Sequence, residues 1–132
     1  MAHKCKYFLI RCMDWRLGKP MKDYQEREGI LGHCDEPGAA GGVQDADFVL
    51  KQLAISVRLH NPEEVILVNH TDCGAYGGRE AFGSSKEEHN FHTGELKRVK
   101  EAVLAKYPSL KVKMLLAKIQ PSGEVEFEEI NA

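Results

Sequence analysis

The chain has 132 residues, 42% hydrophobic and 29% charged, with 18 Lys and Arg against 20 Asp and Glu and a formal net charge of -2. This length suits a single domain over residues 1–132 that can bury a core without a disulfide framework, and the balance excludes a mostly disordered chain. Near neutrality gives no general electrostatic reason to bind nucleic acid or an anionic membrane, and no apolar run reaches the roughly 20 residues needed to cross a bilayer.

The apolar stretch before Arg11 is too short for the core of a signal peptide, so a cytoplasmic protein is expected, with neither nucleic acid nor membrane as partner. In a reducing compartment, Cys5, Cys12, Cys34 and Cys73 are expected as ligands, nucleophiles or small core residues rather than as a disulfide set.

In chain order, Tyr7-Phe8-Leu9-Ile10 reads as a buried strand ending near Arg11-Cys12. Pro20 opens a short helix over about Met21 to Glu28, with Gly29 as its stop. Residues 32–42 are polar and glycine-rich and read as loop around a short weak strand. Val43, Ala46, Leu50, Leu53, Ala54 and Val57 recur at three- and four-residue steps, which predicts a helix from about Gln44 to Leu59, closed by Asn61-Pro62. Glu64 to Asn69 is a continuous apolar strand that runs into His70-Thr71-Asp72-Cys73-Gly74. Residues 77–93 are expected as loop with some helix.

Leu96, Val99, Val103, Leu104 and Tyr107 mark a further amphipathic helix closed by Pro108. Val112 to Ile119 reads as a strand, and a turn at Gln120-Pro121-Ser122-Gly123 leads to an edge strand over Val125 to Ile130. This alternation predicts an α/β fold: a mainly parallel β-sheet flanked by helices, with an antiparallel C-terminal edge strand. Ligands of such sheets sit beyond the carboxyl ends of the strands, where Cys12 and His70 both fall.

Two segments carry the chemistry. Cys12-Met13-Asp14-Trp15-Arg16 follows one strand and His70-Thr71-Asp72-Cys73 follows another; if the strands are neighbours, two thiolates and one imidazole converge. That donor set suits Zn2+, and three protein ligands leave the fourth tetrahedral position open, the catalytic arrangement. Two thiolates cancel the charge of the dication, so a bound water is less acidified than at an all-histidine site and neighbouring groups must assist. Asp14 is the candidate for that help: it takes the open position itself, as a possible fourth ligand, or accepts a hydrogen bond from water there. Arg16 can hold the Asp14 carboxylate in a forked pair and keep it off the metal.

Other residues have plainer readings. Asp72 is expected to order its own loop. His33-Cys34 is not expected to act as a metal pair, because adjacent extended residues point to opposite sides. Cys5 is expected to be a spare thiol. His89 and His92 are expected on a solvated face, with a proton relay as the alternative. Gly38 to Gly42 lacks a Gly-x-Gly-x-x-Gly pattern and is expected to let the backbone approach the cleft closely.

Cys12-x-Asp14-x-Arg16 followed by His70-x-x-Cys73 resembles the signature of the β-class carbonic anhydrases. His70-Thr71-Asp72-Cys73-Gly74-Ala75, Ala40-Gly41-Gly42 before a helix, and the carboxyl-terminal strand–turn–strand extend the likeness over most of the chain. The resemblance implies a zinc-dependent lyase that interconverts carbon dioxide and bicarbonate by a zinc-bound hydroxide, as a homodimer or higher homo-oligomer. Cys12, His70 and Cys73 would bind zinc, and Asp14 and Arg16 would form a catalytic dyad.

Because the first motif begins at residue 12, a short member without the family's amino-terminal arm is expected. Gly38-Ala39 stands where the family has Arg-Asn, and Trp15 where a small residue is common, so the pocket or dimer contacts are expected to differ. Two alternatives accompany this reading: hydrolysis of carbonyl sulfide or carbon disulfide on the same scaffold, and a non-catalytic zinc-binding module closed by Asp14.

Overall fold

A computed structural model of the chain describes residues 3–131. Strand β1 (Tyr7–Cys12) lies inside the sheet; β2 (Cys34–Asp35) and β3 (Gly38–Ala39) pair with it in parallel, one near each of its ends. Its other edge pairs in parallel with β4 (Glu64–His70), which pairs in parallel with β5 (Lys111–Ile119); β6 (Val125–Ile130) closes the sheet antiparallel to β5. The order is β2-β1-β4-β5-β6 with β3 beside β1, the mixed, mainly parallel sheet expected from the alternation of elements.

Period-two alternation along the strands produces two cores. Phe8, Ile10, Val65, Leu67, Met114 and Leu116 face one side, where α2 (Ala46–His60) contributes Val49 and Leu53 and α3 (Ser85–Lys106) contributes Leu96, Val99 and Val103. Leu9, Ile66, Val68, Leu115 and Ala117 face the other, against Leu17 and against Met21 and Tyr24 of α1 (Gly18–Arg27).

The helix ends follow side-chain chemistry. Asp45 caps α2 by accepting from the Phe48 amide (3.1 Å), and Asn61 ends it in the left-handed region (φ 47°) before Pro62. The Ser84 hydroxyl caps α3 by accepting from the Glu87 amide.

One span departs from the sequence expectation. Residues 85–93, expected as loop with some helix, form the first turns of the 22-residue α3. The aliphatic repeat fails there because the buried positions are Glu88 and His92 rather than aliphatic residues. The same fact corrects the reading of His92, which is 0% exposed and lies in the interior, not on a solvated face. Among the described residues, no helix is long and apolar enough to cross a membrane.

Candidate metal centre

The parallel register pairs Ile10 with Leu67, so β1 and β4 end side by side and deliver Cys12 and His70 to the same end of the sheet. Cys73 returns from the loop after β4. Its Sγ lies 3.9 Å from that of Cys12, and the donor atoms of Cys12, His70 and Cys73 all fall within 4.8 Å of one another, with all three residues buried. These three could hold a metal ion.

The His70 ring is set for that role. Nδ1 lies 2.6 Å from the Thr71 carbonyl, which can only accept, so Nδ1 carries the proton and Nε2 carries the lone pair. Nε2 is buried with no hydrogen-bond partner, a costly state for a polar atom unless something electrophilic meets it. The orphaned nitrogen and the two facing sulfurs fit a metal that takes nitrogen and thiolate donors. Within the sulfur pair, Cys12 is pushed far down in pKa by the hydrogen bond from Cys73, aided by the Asp14 and Gly41 amides, and Cys73 is pushed up by facing that thiolate.

Asp14 sits beside this cluster, its Oδ2 3.8 Å from His70 Nε2. Arg16 grips it in a fork, with Nε donating to Oδ1 at 3.1 Å and Nη2 to Oδ2 at 2.8 Å, while the Arg16 amide also donates to Oδ1. These bonds hold the Asp14 carboxyl down to about 2, against the cost of its partial burial. The guanidinium reaches onward, Nη1 to Asp72 Oδ2 (3.1 Å) and Nη2 to the Asp72 carbonyl (2.9 Å). One arginine thus joins the two motif loops.

Asp72 orders the second loop. Its backbone is left-handed (φ 57°), its Oδ1 accepts from the Arg79 amide (2.8 Å), and its own amide donates to Glu88 Oε2 (2.7 Å). Glu88 is 2% exposed, a carboxylate brought by α3 underneath the loop. Deeper still, Asn69 Oδ1 accepts from the Val43 amide and Nδ2 donates to His92 Nδ1 (3.1 Å). Sequence reading missed Glu88 and its place under the loop; a charged residue on the apolar side of a helix was the only available signal.

The glycines act as expected. Gly42 has φ 62°, and a Cβ there would meet the Val68 carbonyl at 2.5 Å and Asn69 Oδ1 at 2.6 Å. Only glycine lets this segment lie against the end of β4. Of the remaining predicted residues, the Cys34 thiol donates to the Ile30 carbonyl, and His89 lies 3.1 Å from Glu128 Oε1. Cys5, read as a spare thiol, instead lies beside Asp35 and His60.

A parallel-sheet α/β fold with a Cys-His-Cys cluster at the strand ends is the class that fold and site define. Residues 2–126 match the family described as "Putative carbonic anhydrase", and the chain belongs to that family. An uncharacterized protein of Rickettsia conorii (strain ATCC VR-613 / Malish 7) is 26% identical over 116 residues, covering 79% of this chain; the match spans only 62% of that relative's length. Carbonic anhydrase from Streptococcus mutans shares the fold with a TM-score of 0.66 at 21% identity, over 99% of this chain and 87% of that one. The apo form of a carbon disulfide hydrolase shares it with a TM-score of 0.59 at 16% identity, over 94% and 78%.

Proposed function

We propose that the protein is a zinc lyase that hydrates carbon dioxide reversibly to bicarbonate, with Cys12, His70 and Cys73 as metal ligands and Asp14 and Arg16 as the catalytic pair. The observation that carries this reading is the buried, partnerless Nε2 of His70 facing two cysteines that share one hydrogen. A zinc ion bound there supplies a Lewis acid that lowers the pKa of a water.

The chain's own residues do the rest. The Thr71 carbonyl fixes the His70 tautomer, so the ligand nitrogen needs no reorganisation. Arg16 occupies both Asp14 oxygens, which would hold the carboxylate back from a metal bound by the three ligands and leave it able to accept a hydrogen bond from a neighbouring water. That fork also argues against permanent closure of the site by Asp14.

Met13 and Trp15 flank Asp14 with 69% and 86% of their surface exposed. A second copy of the chain covering this apolar rim would exclude water from the site, so we assign the working form as a homodimer.

The test is stopped-flow hydration of carbon dioxide by the zinc-loaded protein, with its mass in solution measured alongside. A rate well above buffer that Cys73→Ser removes supports the reading; a zinc-loaded dimer no faster than buffer ends it. The large exposed Trp15 beside the site, together with the fold shared with a carbon disulfide hydrolase, favours one second reading: hydrolysis of carbon disulfide or carbonyl sulfide. Sulfide release from those substrates in the same preparation distinguishes it.

A further inference from the structure

A second constellation of metal-binding side chains lies at the other end of β1. Cys5 comes from the segment before that strand, Asp35 from β2, and His60 is the last residue of α2. Their donor atoms, one sulfur, one carboxylate oxygen and one imidazole nitrogen, all lie within 4.8 Å of one another. Along an extended strand, Cys5 and Cys12 are separated by about 20 Å, so this group shares nothing with the first.

The backbone holds the three together independently of any ligand. The Cys5 amide donates to the His60 carbonyl (3.0 Å), and the Tyr7 amide to the carbonyl of His33, which leads into β2. His60 Nδ1 lies 2.7 Å from Asp35 Oδ2, and the Ser56 hydroxyl donates to the same oxygen at 2.6 Å. Ser56 fixes the carboxylate as a supporting hydrogen bond fixes a metal ligand.

Among the described residues, the contacts of the Asp35 carboxylate are His60 and Ser56, both on Oδ2; no lysine or arginine lies within ion-pair distance of it, whereas its neighbour Glu36 takes both Arg11 and Lys22. All three residues are half-buried, and two of them, Asp35 and His60, line an open cleft of about 310 Å³ together with Glu36 and Ser56.

We propose that Cys5, Asp35 and His60 form a second binding site for a zinc-class divalent cation. A thiolate and a carboxylate balance the dication's charge, the imidazole adds a neutral donor, and a water from the cleft completes four-coordination. The sulfur selects against magnesium and calcium, which take oxygen ligands. Three segments distant in sequence would then be tied at one point, so the ion's role is structural: it staples the chain before β1 to β2 and to the end of α2.

Metal stoichiometry after dialysis against zinc tests this on the whole chain. The wild type is expected to hold two zinc ions per chain, and Cys5→Ser and His60→Ala one each, with unchanged far-ultraviolet circular dichroism. A cobalt titration of Cys12→Ser/Cys73→Ser should still give a thiolate charge-transfer band that adding Cys5→Ser abolishes. A wild type holding one ion that Cys5→Ser leaves in place overturns the proposal while the first centre stands. One ion removed by Cys5→Ser but not by Cys73→Ser supports it and instead overturns the reading of the first centre.

Discussion

The buried carboxylate of Glu88 accepts the amide of Asp72 at 2.7 Å, and that amide lies midway between His70 and Cys73 on a residue with left-handed backbone. On the proposed reading Glu88 is therefore a positioning residue: it holds the turn that sets His70 and Cys73, two of the three proposed donors. Glu88→Ala leaves a half-buried amide unpaired and should weaken zinc binding by about 10- to 100-fold. Glu88→Gln keeps an acceptor and should restore most of the affinity. Competition with a chromophoric chelator measures both; equal losses in the two variants would assign Glu88 a role other than accepting this hydrogen bond.

Arg16 holds Asp14 by a fork that lysine cannot reproduce. Arg16→Lys should retain zinc and lose hydration activity by at least about 100-fold, the scale of a lost proton-handling group. In the cobalt-substituted protein, its visible spectrum should shift as Asp14 is released toward the vacant position. The sign of the acid response follows from the same pair. Asp14 is ionised in the fold down to about 2, so its stabilisation is present above the ordinary carboxylate range and is lost as pH falls toward 2. Arg16→Lys should bring that loss to higher pH, which an acid titration followed by circular dichroism will show.

His92 gives a second, oppositely charged acid response. Burial drives it down from 6.5 to about 4. The unfolded chain takes up a proton there below 6.5 and the folded chain does not until about 4. Stability therefore falls with falling pH across that window, by roughly 3 kcal/mol at most. His92→Gln, which keeps an acceptor for Asn69 without a titrating ring, should flatten urea-derived stability between pH 6.5 and 4. An unchanged slope would remove His92 from the account.

Gly42→Ala should destabilise the protein by about 1–3 kcal/mol, because the methyl group meets the Val68 carbonyl and the residue is held at φ 62°. Gly18 has open space around its Cβ position, and Gly18→Ala should cost far less. Denaturant midpoints of the two variants compare them directly.

The sheet was legible because its strands are apolar runs with sharp ends. Tyr7–Cys12 and Glu64–His70 stand out as such, and the register that aligns them follows from burial on both faces. The Cys12, His70 and Cys73 cluster was legible because Cys12 and His70–Cys73 follow two apolar runs read as strands, and ligands of parallel sheets sit beyond such carboxyl ends. The amino-terminal part of α3 was not, since Glu88 and His92 occupy its inward positions and hide the helical period. The grouping of Cys5, Asp35 and His60 was equally hidden, because a two-residue strand, a helix end and a chain segment meet only through tertiary pairing.

X-ray absorption at the zinc edge, on Cys5→Ser protein loaded with one equivalent, tests the central claim most directly. The account predicts two sulfur neighbours at about 2.3 Å and two nitrogen or oxygen neighbours at about 2.0–2.1 Å, with one sulfur lost in Cys73→Ser. A coordination shell without sulfur, or one that Cys73→Ser leaves intact, would contradict it.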